Sequence, residues 1–598
     1  MSKSLRRWYW PAAATLATAA LLSFSQSDLP VSDPAQAAYR TQLQQLETGL
    51  TSFRQSALHH DSLPALQQHF VACRQQYKQA EATLTYFFPF AAHRMNGAAV
   101  LESEPGDVNE VVFPTGFQVL ETYIYDVTYL QHDRLVKELD YMLFIVKQVT
   151  AQVPQTQLPA PVVYYATKLN LYRMAAQGLS GFDSPIAGLQ LSEAVVTLRS
   201  SLEMLRSCGP VSPALQQAFR QAIRPLQQAH DPAGFNYAGY LSGPYRQLLL
   251  AIHTAQQQQH IGYPEVQAAV RVDAASMFEV NAFDPQFFAP EGTPLPTAAI
   301  RTLGEKLFDE KLLTQNGRTC KSCHDPTLGY ADGLTSAPSL LHGENLSRNT
   351  PTLLNAALQP ALFYDARTPY LETQVLEVLN NKAEMHGQLH LALEALQQDE
   401  TYKRLFRDAF PADDDAITEQ RLSQAIAAYV RSLVALQSRF DRFMQGQSTA
   451  LNREEQQGFN LFMSKAQCGT CHYLPLMSGA VPPLFDITES EVLGVPANAD
   501  TLHPIADTDR GAYVVFPKQH KDGAFRTPTL RNIARTAPYM HNGVFQTLEE
   551  VIDFYDRGGG QGLGLPITNQ TLSGDRLHLT AKEKKALVAF MKALDGER

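Results

Sequence analysis

Cys320-Lys321-Ser322-Cys323-His324 is answered further along the chain by Cys468-Gly469-Thr470-Cys471-His472. Two cysteines with two residues between them can take the two vinyl groups of a haem as thioethers. The histidine that follows then falls on the iron as proximal ligand. One such peptide could be a redox or zinc motif. Two of them, each announced by the same upstream words, point to two covalently bound c-type haems. The words are Gly304-Glu305-Lys306-Leu307-Phe308 before the first peptide and Gly458-Phe459-Asn460-Leu461-Phe462 before the second. Each reads as a helix with Gly, Leu and Phe on its packing face, so the two halves form a weak internal repeat. Haem domains are expected at 297–440 and 441–598.

The 598 residues are too many for one core, and roughly three or four domains are expected. With 44% hydrophobic and 18% charged residues the composition is that of an ordinary globular protein. A net charge of −10 makes neither nucleic acid nor an anionic membrane surface an obvious partner. Within 36–262, apolar residues recur every three or four positions in Ala38–Ser56, Leu63–Phe87, Thr128–Val153, Val162–Ala176 and Leu191–Cys208, which predicts a helical bundle without a haem motif. Asp284-Pro285, Ala289-Pro290-Glu291-Gly292, Pro294 and Pro296 mark 263–296 as a linker. The expected fold class is all-α, an N-terminal bundle followed by two cytochrome-c-like haem domains.

Residues 1–27 read as a signal peptide or, alternatively, an uncleaved anchor. Lys3, Arg6 and Arg7 precede the apolar run Trp8–Phe24, and Ser25-Gln26-Ser27 follows it. No cysteine follows the run, which argues against a lipoprotein. Export to the periplasm agrees with c-type haem attachment outside the bacterial cytoplasm. Trp8 and Trp10, the two tryptophans of the chain, both lie in this leader. Four of the six cysteines are spent on haem, which leaves Cys73 and Cys208 either paired or free.

Phe113-Pro114-Thr115-Gly116-Phe117-Gln118-Val119-Leu120-Glu121 resembles the G-x-H-x-x-E word of imelysin-like helical domains. Tyr86-Phe87-Phe88-Pro89 and Met95-Asn96-Gly97 are similar to that family too. Gln118 stands where the family has histidine, so a metal site that needs the imidazole is not expected. A scaffold or interaction module, with Glu121 in a buried polar contact, is.

From 297 onward the chain resembles the bacterial di-haem cytochrome c peroxidase and MauG family. The matching words include Asp325-Pro326 after the first haem peptide, Arg348-Asn349-Thr350-Pro351-Thr352 with Asn355, Phe363-Tyr364-Asp365-Ala366-Arg367, and Glu384-Met385. Thr527-Pro528-Thr529-Leu530-Arg531-Asn532 and Thr536-Ala537-Pro538-Tyr539-Met540-His541-Asn542-Gly543 complete the set.

The resemblance implies unequal haems. Glu384 and Gln374 match the pair that sits over the peroxidatic first iron, where a carboxylate can move a proton between the two oxygens of peroxide. His342 falls where peroxidases of the family carry a removable distal histidine, with His386 and His390 as nearby alternatives. On the second haem, Tyr555 matches the axial tyrosine of MauG-like proteins, with Met540 as the alternative. A phenolate is a hard anionic donor that lowers the potential, whereas a thioether favours ferrous iron. Tyr364 takes the place of the tryptophan that relatives put between the haems, and its oxidation is coupled to loss of the phenolic proton. Asn349, Thr536 and Pro538 match the ligands of a calcium ion, and none of them is a carboxylate. Arg367 and Arg531 are candidates for haem propionates or, equally, for structural salt bridges.

Three functions follow as expectations. The first is a peroxidase that reduces hydrogen peroxide at haem one, with electrons from a small periplasmic cytochrome c or cupredoxin entering through haem two. The second is a MauG-like oxidase that withdraws electrons from a protein side chain. The third is a plain electron-transfer cytochrome, against which Glu384 and Gln374 speak. Relatives are often homodimers.

Overall fold

A computed structural model of the chain describes residues 33–104, 107–126, 130–341, 343–411 and 416–597. The leader 1–27 and His342 lie outside the described residues. Two compact units result, one of residues up to Val163 with Glu203–Pro210, the other of Tyr164–Leu202 with Val211 onward. Helices dominate both, as the apolar spacing predicts.

The first unit holds α1 (Pro34–Leu58), α2 (Leu63–Phe87), α3 (Pro89–Asn96), the hairpin β1 (Glu102–Glu104) and β2 (Asp107–Val112), α4 (Phe117–Tyr125) and α5 (His132–Gln152). Asp33 starts α1 by accepting from the Ala35 N–H, and Pro34 fills a position whose N–H would be idle. Tyr39, Leu43, Leu46, Leu50 and Phe53 form its buried stripe. Gly116 has φ +93° and a Cβ there would overlap the Met95 carbonyl, which is why that word needs its glycine. Gln118 and Glu121 are buried on α4, and α2 carries the buried Arg74, Lys78 and Glu81. Lys78 Nζ donates to Glu81 Oε1 at 2.8 Å. Cys73 and Cys208 are free thiols, so the optional disulfide is not formed.

The division passes through α6 (Ala160–Arg173) and α7 (Gln190–Ser207). The π-helical turn Met174–Gly178 continues α6, and α8 (Pro213–Gln228), α9 (Tyr237–Tyr240) and α10 (Arg246–Gln258) follow. Residues 164–202 and 211–262 therefore fold with the haem peptides, and the bundle expected at 36–262 is not one body. The reason lies in specific packing. The Ala238 N–H donates to Asn460 Oδ1 at 2.8 Å, and the Phe182 ring meets Tyr473, the residue after His472, edge-on at 5.7 Å.

The stretch 263–296 is also more than a linker. Arg271 N donates to Ala282 O at 2.8 Å and Asp284 N to Ala269 O at 2.9 Å, closing a loop pinned by Lys168 Nζ on the carbonyls of Val272 (2.7 Å) and Ala274 (2.8 Å). Its Phe278 and Phe283 rings pack on Phe440 and Phe485 at 6.0 and 5.2 Å.

Beyond it come α11 (Ala298–Phe308), α12 (Leu371–Asn380), α13 (Leu389–Gln398), α14 (Glu400–Ala409), α15 (Glu419–Arg431), β3 (Gln437–Ser438), α16 (Arg439–Met444) and α17 (Arg453–Phe462). The chain ends with β4 (Ser490–Val492), β5 (Ala524–Arg526), α18 (Leu548–Asp556), α19 (Gly559–Gly562), α20 (Ala581–Lys592) and β6 (Gly596–Glu597). The repeat is visible in three dimensions. α11 packs on α15 at Gly304, where a Cβ would overlap the Ala425 carbonyl and stand 3.0 Å from the Tyr429 Cβ. α17 packs on α20 at Gly458, where a Cβ would overlap the Ala586 carbonyl and stand 2.7 Å from the Phe590 Cβ. The paired words Thr350–Asn355 and Thr527–Asn532 both end on an asparagine in the left-handed region, at φ 60° and 62°. Asn355 Oδ1 accepts from Ala435 N at 2.7 Å and Asn532 Oδ1 from Gly596 N at 2.8 Å, so each ties its turn to the β3–β6 pair or its approach.

Candidate functional site

Both C-x-x-C-H peptides adopt the same tight turn. In each, the histidine N–H donates to the carbonyl of the first cysteine at 3.0 Å. His324 Nδ1 donates to Tyr330 O at 2.9 Å, and His472 Nδ1 to Pro528 O at 3.1 Å and Met477 O at 3.3 Å. A carbonyl accepts only, so the proton is on Nδ1 and the Nε2 lone pair is left for a metal. Burial lowers the His324 pKa and pushes His472 down to about 4, which keeps both rings neutral. Burial also pushes the Cys320 and Cys468 thiols up to about 12. No cluster of three or more His, Cys, Asp or Glu able to hold a metal ion occurs among the described residues. Two thiols beside an Nδ1-anchored histidine fit haem attachment.

The second peptide opens on a cavity of about 710 Å³, a size suited to a cofactor, lined by Cys468, Cys471, His472, Met540 and Tyr555. Both axial candidates are thus on the wall that carries His472. Burial, with the Cys471 and Cys468 thiols near, raises the Tyr555 phenol well above its usual value. Asn349, Thr536 and Pro538 share the same wall. Asn349 Nδ2 donates to Leu334 O at 2.8 Å, and its backbone N–H to His541 O at 2.7 Å.

One part of that wall is suited to anions. Arg526 donates from Nη1 to Gln359 Oε1 at 2.8 Å and from Nε to Phe363 O at 3.2 Å. No carboxylate of the described residues pairs with it, and burial pulls the guanidinium down to about 10. The neighbouring Thr527 Oγ1 and Gln359 Nε2 are buried without a partner. Unspent donors beside an unneutralised cation are what the acidic substituents of a haem require.

The arginines singled out by sequence are otherwise engaged. Arg531 is 1% exposed and spends all five N–H donors on protein: Nε and Nη2 on Pro475 O, Nη1 on Ser438 Oγ and Asp441 Oδ2, and Nη2 again on Asp441 Oδ1. It forms a structural salt bridge, the alternative that the sequence offered equally. Arg367 lies over the Phe363 ring at 3.3 Å, with Nη1 on Asp365 and Nε on Glu377. Arg526 was missed because nothing in Phe525-Arg526-Thr527 says that its charge has no partner. The pair of His541 with Asp507, 3.1 Å from Nε2 to Oδ2, was missed as well. That hydrogen bond holds the Asp507 carboxyl well below the usual range, and Phe525 stacks on the imidazole at 3.7 Å.

Glu384 and Arg367 line a second, smaller cavity of about 480 Å³ with Phe363, Leu376, Glu377 and Asn381. His324 is not on its wall. The Glu384 carboxylate is one of the charges acting on the Cys323 thiol, which places it on the side of the first haem peptide. Burial raises the Glu384 pKa, against the lowering effects of Arg367, Asn381 and Arg318. Gln374 lies on the wall of the larger cavity instead, so the pair expected over one iron faces two spaces. α12 borders both spaces, with Thr373, Leu376, Glu377, Val378 and Asn380 on the smaller and Gln374 on the larger. Phe363 is on both walls. Tyr364 also lines the larger cavity, its phenol pushed up to about 12 by burial. The flanks of His342 reach the Glu384 segment, since Leu340 N donates to Ala383 O at 2.8 Å.

Residues 298–449 match the family described as di-haem cytochrome c peroxidase. Cytochrome-c peroxidase IdrP2 of Pseudomonas sp. (strain SCT) is 33% identical over 363 residues, which are 58% of this chain and 94% of that protein. Methylamine utilization protein MauG of Methylophilus methylotrophus is 32% identical over 323 residues, 52% of this chain and 88% of that one. Among solved structures, a MauG-like protein associated with microbial copper homeostasis aligns at 29% identity and a TM-score of 0.46, covering 52% of this chain and 92% of the other.

Proposed function

This chain belongs to the family of di-haem cytochrome c peroxidases and MauG, and from that membership we propose that it reduces hydrogen peroxide to water at the first haem, with electrons entering through the second. It is an oxidoreductase with peroxide as acceptor. One peroxide takes two electrons and two protons and leaves as two waters. The haems, when bound, would supply redox-active iron and the electrons that break the O–O bond. Cys320, Cys323 and His324 would hold the first, and Cys468, Cys471 and His472 the second.

The observation that carries the reading is Glu384, a half-buried carboxyl with a raised pKa on a cavity wall, whose charge acts on the Cys323 thiol. Its Oε1 accepts from Asn381 Nδ2 at 2.7 Å. Oε2 is left to take a proton from one peroxide oxygen and return it to the departing one. Phe363 and Arg367 share that cavity wall. His342 is assigned as the removable cap of the first iron. Tyr555 is assigned as the second ligand of haem two, with Met540 the other candidate on that wall. Arg526 is assigned to the propionates, and Asn349, Thr536 and Pro538 to a calcium ion. Tyr364 is assigned as the relay between the haems. The donor is a small periplasmic cytochrome or copper protein, reached after export by the leader.

A second reading is favoured by Tyr555. An axial phenolate suits a MauG-like oxidase, in which the haems store oxidising equivalents and withdraw electrons from a protein side chain. Steady-state peroxide consumption with a reduced small donor tests the choice. Turnover supports the peroxidase. Its absence in both resting and pre-reduced protein overturns that reading. Glu384→Gln should lower turnover by about 10²–10⁴ with both haem spectra present, and a wild-type rate removes the acid–base role.

A further inference from the structure

The residues that approach the first haem peptide also hold the backbone of Glu384. Arg318, two positions before Cys320, donates from Nη1 to Glu384 O at 2.8 Å and from Nη2 to Pro338 O at 3.0 Å. Asn316 Nδ2 donates to Met385 O at 2.8 Å, and Asn316 Oδ1 accepts from Arg318 N at 2.9 Å. Thr314 Oγ1 donates to Arg318 O at 2.9 Å, which fixes the arginine's own backbone. Two side chains flanking Gly317 at φ +74° therefore span from the haem-binding turn to two successive carbonyls. The segment has little freedom elsewhere. Glu384 N donates to Asn381 O at 3.1 Å and Gly387 N to Leu379 O at 2.7 Å, and a Cβ on Gly387 would stand 2.8 Å from Leu313 O.

We propose that Arg318 is a positioning residue for Glu384, its planar guanidinium bridging the carbonyls of Glu384 and Pro338 so that the carboxyl keeps a fixed place relative to the first haem peptide. The inference rests on the reading of Glu384 as the proton carrier. A bridge between two carbonyls needs the two Nη groups of a guanidinium. The single ammonium of lysine keeps the charge without the fork. Position matters because a displacement on the order of 1 Å can cost about a hundredfold in rate. Arg318 has a second influence, through charge. The groups facing the Glu384 carboxyl are Arg367, Asn381 and Glu377 on the cavity wall, with Arg318 and Cys323 on the haem-peptide side. Arg318 is one of two cations that favour the carboxylate there.

The two influences separate in two variants of the holoprotein. Arg318→Lys keeps the cation and loses the bridge. It should lower kcat about tenfold to a hundredfold with little change in KM, and leave the acidic limb of the pH–rate profile in place. Arg318→Met loses both. It should lower kcat similarly and move the acidic limb to higher pH, since the carboxyl keeps its proton longer. The infrared carboxyl band that disappears in Glu384→Gln should titrate at correspondingly higher pH in Arg318→Met, a readout that needs no turnover. Wild-type kcat in Arg318→Lys, or an unmoved infrared titration in Arg318→Met, overturns the proposal. Should Arg318→Met fail to take up the first haem, Arg318→Lys decides alone. Full turnover in Glu384→Gln overturns the underlying reading. An inactive Glu384→Gln beside a wild-type-like Arg318→Lys overturns only this one.

Discussion

Gly458 lies directly against the carbonyl of Ala586, so close that a Cβ at 458 would overlap that oxygen. The crossing of α17 and α20 depends on this approach, and Phe459, Phe462 and Phe590 pack around it with ring centroids 5.2 to 5.3 Å apart. Backbone cannot step aside as a side-chain tip can. Gly458→Ala should therefore cost at least the ~1–3 kcal/mol typical of overpacking. It should also depress haem uptake at Cys468 and Cys471, whose turn follows α17. Thermal unfolding and haem content check both. Gly304→Ala should do the same to the first haem, through Ala425.

Arg531 and Asp441 form a buried pair, with Nη1 to Oδ2 at 2.7 Å and Nη2 to Oδ1 at 2.9 Å. Their side chains are 1% and 4% exposed. Asp441→Asn leaves the guanidinium buried and uncompensated, at an expected cost of about 3–5 kcal/mol. Arg531→Met with Asp441→Leu removes both charges together and should recover most of that loss. Denaturant melts of the two variants measure the difference. An equal loss in both would show that the pair supplies shape rather than charge compensation.

Those two relationships mark how far the sequence could be read. Gly304 and Gly458 stood out in matching words before each haem peptide, and the structure shows why, because both sit where two helix backbones meet. Leu63–Phe87 was legible end to end, its apolar spacing matching α2. Arg531 stood out too, but its destination did not, because Asp441 lies 90 positions away. Periodicity reports that a helix buries a face and not which body buries it, so the split of 36–262 between two units was invisible. The turn residues of 263–296 drew attention from Val270, Met277, Phe278 and Phe283, the buried positions that bind that stretch down. Gln374 and Glu384 could not be assigned to different walls, because Gln374 sits on α12 among residues that line the other space.

Arg526 makes a prediction opposite in sign to Asp441→Asn. It is a half-buried cation without a carboxylate among the described residues, held by Gln359 Oε1 and Phe363 O. Burying a charge without its counter-ion is costly. Arg526→Met should leave the haem-free chain as stable as wild type or more so. In the haem-loaded protein it should do the reverse, weakening the hold on the acidic substituents and lowering the potential of the haem that loses the positive charge. Melting curves of both forms and a spectroelectrochemical titration read the two effects. Equal losses of stability with and without haem would rule out the assignment.

Glu384 gives the sign of a pH effect on stability. Burial raises its folded-state pKa above the ordinary glutamate value of 4.5. In the interval between the two values the folded chain binds the proton more tightly than the unfolded chain. Stability from this group is then complete below the unfolded pKa and is lost as pH rises through the folded one. Asp507 runs the other way. The hydrogen bond from His541 lowers its folded pKa, so its contribution is present above the ordinary aspartate value of 3.8 and is lost as pH falls. Glu384→Gln cannot titrate. Its melting temperature should stay level with wild type at the acidic end and exceed it progressively as pH climbs past the ordinary glutamate range. Asp507→Asn should show its deficit against wild type at neutral pH and lose that deficit on acidification. Parallel melting profiles for wild type and Glu384→Gln across that range would show that burial does not raise the Glu384 pKa in the folded chain.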